Sequence, residues 1–310
     1  MALEPQTKAY LEQAAKAPRP ADQTMKQARA AINKKLTFED SPIHVGNVED
    51  IRIPFAWGKL MARVYTPEGS GPFPIVVYYH GGGWVYNNVG THDSVCRHMA
   101  KLSDCIFISI EYRLAPETKF PGPVEDSYGA LEWIYDNAVS LNGIPDKLAV
   151  AGDSAGGNLA AATCLLARDR KGPDIKLQVL MFPVTDHYST ETKSYFEVNI
   201  PGALNGDQMI WFWDLYLNKN EDVNNPYISP LRAKSLKNLP PAIITTAEND
   251  PLLNEGEAYA KRLQDAGVPV TYSCCSGVVH AYILQWRILD KAMASIREIS
   301  SGIKKHMYSL

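Results

Sequence analysis

The sequence predicts an α/β fold, a mostly parallel central sheet flanked by helices, and three observations predict it. Apolar residues gather in short runs that are continuous rather than alternating, as strands covered on both faces require. A helix-length segment follows each run, the spacing of parallel strands joined by crossovers. With 310 residues, 45% of them hydrophobic, the chain is long enough to bury a substantial core.

Residues 1–45 are rich in Ala, Lys and Gln, and Met25, Ala28, Ile32 and Leu36 recur at helical spacing, which predicts two short helices broken at Pro18 and Pro20. Ile51, Ile53 and Phe55 then alternate with polar residues, Trp57-Gly58 marks a turn, and Leu60 to Tyr65 follows, the pattern of an antiparallel hairpin. The sheet continues in IVVYY (75–79), CIFISI (105–110), KLAVAG (147–152), LQVLMF (177–182), AIITTA (242–247) and VPVTYSCC (268–275). Right-handed crossovers give a doubly wound sheet with helices on both faces. One connection is too long for that scheme: about sixty residues separate Phe182 from Ala242. This insertion is dense in aromatics, Phe196, Trp213 and Tyr216 among them, and either packs one or two helices on the core or covers a pocket mouth. The expected organisation is an amino-terminal helical part (1–45), a first core segment (46–184), an insertion (185–235) and a second core segment (236–310).

Formal net charge is −3 with acidic and basic residues interspersed, so the chain lacks the positive field that nucleic acid requires of a partner. The start MALEPQTKAY puts Glu4 and Pro5 where a signal peptide needs an unbroken apolar run, and no apolar segment is long enough to span a bilayer. A soluble, cytoplasmic protein is expected. Cys96, Cys105, Cys164, Cys274 and Cys275 show no C-x-x-C spacing and two are adjacent, which suits neither a disulfide framework nor a zinc site. Mostly buried, reduced thiols are expected, with no metal and no cofactor.

The chemistry centres on KLAVAGDSAGGNLAAATCLLA, where a buried strand runs through Gly152-Asp153-Ser154-Ala155-Gly156 into an Ala/Leu-rich helix. The strand, G-x-S-x-G, helix arrangement is a nucleophile elbow: a tight, strained turn that tolerates only very small flanking residues and exposes the serine hydroxyl at a helix N-terminus. His80-Gly81-Gly82-Gly83-Trp84 follows the run 75–79 directly, where three glycines let the backbone approach a reacting carbonyl and aim N–H groups at it. Of the histidines beyond Ser154, His306 sits in a basic tail where fraying is expected, and His187 follows its strand with no later strand between to present an acid. His280, in the loop SGVVHAY after the last strand, is the candidate base. In AIITTAENDPLLNEG, Glu248 and Asp250 both lie at a strand's carboxyl end; Asp250 is farther out and is favoured as the acid, with Glu248 suited to a structural hydrogen bond.

These residues resemble the hormone-sensitive-lipase-like branch of the α/β-hydrolases, which includes bacterial carboxylesterases and arylacetamide deacetylases. The resemblance runs from about residue 45 onward and rests on HGGGW (80–84), EYRLAPE (111–117), FPGPVED (120–126), GDSAGG (152–157), DPL (250–252) and the His280 loop, all in the family's order. It implies nucleophile Ser154, base His280 and acid Asp250, with oxyanion donors from the backbone N–H of Gly82, Gly83 and Ala155, and a structural His80. It also implies that the amino-terminal helices and the insertion form a cap over acyl and alcohol pockets. Two departures stand out: Glu111, where the family often has Asp, is expected to alter a structural ion pair, and Ala281-Tyr282 replaces a Gly-Phe pair. Trp84, Tyr86, Tyr195, Trp211 and Phe212 are candidate pocket walls, with plain core packing as the alternative for each.

The expected activity is serine carboxylesterase action on short to medium-chain esters through an acyl-enzyme intermediate, the partner being a small-molecule ester. An amidase or deacetylase is the alternative within enzymes. A non-catalytic small-molecule receptor of this architecture is the alternative outside them, and retention of His280 argues against it. The strand VPVTYSCC offers an edge for a second copy, leaving monomer or homodimer.

Overall fold

The computed structural model describes residues 2–17, 23–36, 43–190 and 192–310. Helices α1 (Pro5–Ala14) and α2 (Met25–Leu36) come first; Pro18 and Pro20 lie outside the described residues. The hairpin is β1 (Asn47–Phe55) and β2 (Gly58–Thr66), paired from Asn47 with Thr66 to Phe55 with Gly58. Then follow β3 (Phe73–Tyr79), α3 (Asp93–Ser103), β4 (Ile106–Ile110), α4 (Gly122–Asp136), β5 (Gly143–Asp153), α5 (Ala155–Arg170) and β6 (Ile175–Met181). The insertion contributes α6 (Lys193–Glu197) and α7 (Gly206–Tyr216), after which β7 (Ala242–Asn249), α8 (Leu253–Asp265), β8 (Val270–Val279) and α9 (Asp290–Tyr308) complete the chain.

One eight-stranded sheet results, in the order β1-β2-β4-β3-β5-β6-β7-β8. Pairings from β4 to β8 are all parallel, and β2 runs antiparallel to β1 and β4. Every residue of β3 and β4 is buried, which is why their apolar runs are unbroken. Successive side chains point to opposite faces: Ile75, Val77 and Tyr79 join α4, α5 and α8 in one apolar layer, while Val76 and Tyr78 join α3 and α9 in the other. No described helix is long and apolar enough to cross a membrane.

Two expectations need correction, and the cysteines are mostly buried as expected. β8 does not stop at Cys275 but runs to Val279 through an irregular register opposite Glu248, because Gly277, at φ +72°, lets the strand kink while Glu248 Oε2 accepts its N–H at 2.7 Å. His306 is not in a fraying tail but inside α9, with Nε2 at 2.8 Å from the Lys176 carbonyl oxygen. Cys96, Cys105 and Cys164 are buried as expected, whereas Cys274 is exposed and Cys275 half-buried, since β8 forms the sheet's edge; all five are free.

Candidate active site

The carboxyl ends of β3, β5, β7 and β8 lead directly into His80-Gly81-Gly82-Gly83, Ser154, Asp250 and His280. Parallel strands bring these ends to one edge of the sheet, so four segments far apart in sequence meet there.

Ser154 sits at φ +55° and ψ −120° between β5 and α5. The flanking positions have room only for glycine: a Cβ on Gly152 would lie 2.2 Å from the Gly156 carbonyl oxygen, and one on Gly156 would lie 1.9 Å from that of Tyr79. Ser154 Oγ is 2.8 Å from His280 Nε2, and His280 Nδ1 is 2.6 Å from Asp250 Oδ2. A carboxylate beside Nδ1 selects the tautomer with the proton there, which leaves Nε2 to accept from the serine hydroxyl. Asp250 is wholly buried and its Oδ1 accepts the Leu252 N–H at 2.9 Å. The Phe182 ring meets the imidazole edge to face at 5.0 Å. Between the two candidate acids the geometry distinguishes: Asp250 reaches His280, while Glu248 holds Gly277.

The Gly-rich loop turns sharply, with Gly82, Gly83 and Trp84 all at positive φ and the N–H groups of Val85 and Tyr86 both donating to the Gly82 carbonyl. Among the described residues, the N–H groups of Gly82, Gly83 and Ala155 donate no hydrogen bond, so they are available to a ligand oxygen near Ser154. His80 is fully buried, stacked on Tyr112 with ring centroids 4.3 Å apart, and Nδ1 lies 2.9 Å from the Gly81 carbonyl oxygen. Burial, and then the neighbouring His92, push its pKa down to about 3, which keeps the ring neutral.

Several side chains that sequence reasoning missed hold this loop. Asp153, inside the elbow motif, accepts from the Gly81 N–H at 2.9 Å and the Tyr78 hydroxyl at 2.8 Å, with His92 Nε2 at 3.2 Å. Burial pushes its pKa up, yet His92 and these donors outweigh burial and hold it below the ordinary carboxylate range. Arg29 reaches from α2 to the Val85 carbonyl. Their only sequence signal was the motif around Asp153; Arg29 lies in a stretch with none. Glu111 makes no ion pair among the described residues; instead it accepts the Val89 N–H at 2.8 Å, and burial raises its pKa. One ion pair of this segment joins Arg113 to the buried Asp126, tying EYRLAPE to FPGPVED.

Of the candidate walls, Trp84 is fully buried and stacks on Tyr216 at 4.2 Å, and Tyr195 is also buried. Tyr86, Trp211 and Phe212 form an aromatic group, Tyr86 lying 5.9 Å from Trp211 and 5.6 Å from Phe212. Phe212 packs on the Gly-rich loop: a Cβ on Gly83 would meet its ring at 2.3 Å.

Known proteins share this arrangement of sequence and fold. The α/β-hydrolase-fold family profile matches residues 76–284. A carboxylic ester hydrolase, LipN, of Mycobacterium tuberculosis is 40% identical over 271 residues, covering 86% of this chain and 72% of that protein. An arylesterase of Saccharolobus solfataricus is 38% identical, covering 83% of this chain and 84% of that protein. Among solved structures, a hyperthermophilic esterase from the archaeon Pyrobaculum calidifontis superposes with a TM-score of 0.92 at 42% identity, covering 98% and 99% of the two chains.

Proposed function

The chain belongs to the α/β-hydrolase family, in its hormone-sensitive-lipase-like branch, and is a carboxylic ester hydrolase; from that premise we propose that it cleaves short to medium-chain esters through an acyl-enzyme on Ser154. The observation that carries the reading is the unbroken chain from Ser154 Oγ to His280 to Asp250, with contacts of 2.8 and 2.6 Å.

In the proposed mechanism His280 Nε2 takes the Ser154 proton as Oγ adds to the ester carbonyl carbon. The carbonyl oxygen becomes an oxyanion and accepts from the N–H groups of Gly82, Gly83 and Ala155. Its collapse expels the alcohol, which leaves with the proton from His280. Water then repeats the sequence on the acyl-enzyme, giving up a proton to His280 and releasing the acid and Ser154. Asp250 keeps the imidazole oriented and stabilises its cation, staying ionised throughout. The amino-terminal helices and residues 185–235 act as the cap, with Phe212 against Gly83 and Trp211 and Phe212 against Tyr86 of the loop that binds the oxyanion. The intact Ser-His-Asp arrangement supports a hydrolase over a binding-only relative.

Ser154→Ala is expected to lower kcat for p-nitrophenyl butyrate by about 10⁴-fold or more while leaving the circular dichroism spectrum unchanged. Hydrolysis by that variant at a near-normal rate would exclude Ser154 as the nucleophile.

A further inference from the structure

The oxyanion loop has a second support that comes from outside the core. Gly82 and Gly83 take positive φ, at +117° and +59°, as glycine does freely, but Trp84 follows at +61°, a conformation that a residue with a side chain keeps only where its surroundings over-determine it. On its inner side Asp153 holds the Gly81 N–H. On its outer side two carbonyl oxygens, those of Trp84 and Val85, need partners. The Ala115 N–H donates to Trp84 O at 2.8 Å, and Arg29 Nε donates to Val85 O at 2.8 Å. The same guanidinium sends Nη2 to Ala115 O, also at 2.8 Å, so one planar fork fastens both the loop and the segment that fastens the loop. Glu117 completes the fork, 2.8 Å from Nη2 and 2.9 Å from Nη1. Ala28, the preceding residue, is 2% exposed and seats α2 against the core, fixing where Arg29 starts.

We propose that Arg29 is a positioning residue for the oxyanion hole, bracketing the Val85 and Ala115 carbonyls so that the turn from Gly82 to Tyr86 keeps its amide N–H groups aimed at the reacting oxygen. The inference rests on the reading that Gly82 and Gly83 bind the oxyanion. It separates two roles for one side chain: a charge partner for Glu117, and a geometric clamp on two carbonyls. Only the clamp acts on the transition state, because Val85 shares its turn with the donors and Glu117 does not.

The test compares p-nitrophenyl butyrate kinetics with binding of an aryl trifluoromethyl ketone. Ser154 Oγ adds to that ketone's carbon, its proton passing to His280 and the charge staying on the ketone oxygen, so affinity reports the oxyanion hole. Arg29→Ala is expected to lower kcat by about 10- to 100-fold with KM changed less than about threefold, and to weaken the ketone by the same factor as kcat/KM. Arg29→Lys keeps the cation but not the fork and should recover little; it also carries the test should Arg29→Ala not fold. Glu117→Gln should stay near wild type in both readouts. The proposal is overturned if Arg29 variants change KM alone, if the ketone binds them as it binds wild type, or if Glu117→Gln reproduces their loss. Activity surviving in Ser154→Ala would instead overturn the reading beneath it.

Discussion

A serine held at φ +55° occupies backbone space that costs about 1–3 kcal/mol, and its neighbours show what holds it there. Its N–H donates to the Met181 carbonyl at 2.9 Å, and its own carbonyl accepts from Asn158 and Val184 at 3.0 and 3.1 Å. Asp153, one residue earlier, ties the elbow to the Gly-rich loop through the Gly81 N–H. Because its carboxylate is ionised and wholly buried, an amide in its place would lose the attraction to His92 and turn an N–H toward groups that donate. Asp153→Asn is therefore expected to reduce kcat by about tenfold or more, with a lowered melting temperature and little change in KM. Kinetics on p-nitrophenyl butyrate beside a thermal melt check this, and an unchanged kcat would show that the loop keeps its shape without the carboxylate.

At the scale of elements, the segment from Asp250 to Glu255 does two jobs. Its first residue meets His280, and its last anchors the insertion: Glu255 Oε1 accepts the N–H groups of Thr185 and Asp186 at 2.7 and 3.2 Å, while its carbonyl accepts the Thr185 hydroxyl at 2.8 Å. Ser194, in α6, adds a bond from Oγ to the Pro251 carbonyl at 2.6 Å. These bonds, most of them to Glu255, hold residues 185–186 and α6 against the segment that carries Asp250. Glu255→Ala leaves two buried N–H groups without an acceptor and is expected to alter the pocket walls more than the triad. On a series of p-nitrophenyl esters, kcat/KM for the acetate should fall by less than about threefold, and for the octanoate by about tenfold, with Glu255→Gln restoring much of the loss. An equal fall along the series would mean that Glu255 acts through Asp250 instead.

For the whole molecule the strongest pH lever is three imidazoles, buried at His80 and His187 and half-buried at His98. Burial first, then nearby cations or His92, hold His80 down to about 3 and His98 and His187 to about 4, against an ordinary 6.5. An unfolded chain binds protons at these positions that the folded chain refuses, so stability falls as pH drops from 6.5 toward 4. Asp153 extends the loss below that window, since the stability from its lowered pKa is present above 3.8 and disappears as pH falls through the folded value. Glu255 works the other way: burial raises its pKa, so its contribution is complete below 4.5 and is lost as pH rises through the elevated value. Urea melts between pH 6 and 5 should show net uptake of about two protons on unfolding, three at the imidazoles less one released by Glu255, and His80→Gln should lower that by about one. A midpoint independent of pH in that range would contradict the assignment of neutral rings.

The candidate triad and most of the sheet were legible in the sequence because both are written in local patterns. β3 and β4 show as unbroken apolar runs since both faces are covered, and Ser154 shows because its turn excludes any side chain at Gly152 and Gly156. Chain order and strand ends then picked out Asp250 and His280. What the sequence left open was decided by contacts between segments distant along the chain. Nothing local places β4 between β2 and β3 or extends β8 past Gly277; each depends on the partner strand alongside. Arg29 and Glu255 were invisible for the same reason: apart from Glu117 beside Arg29, their ligands include backbone carbonyls and N–H groups, which every residue carries, so no residue pattern records them until the fold brings them together.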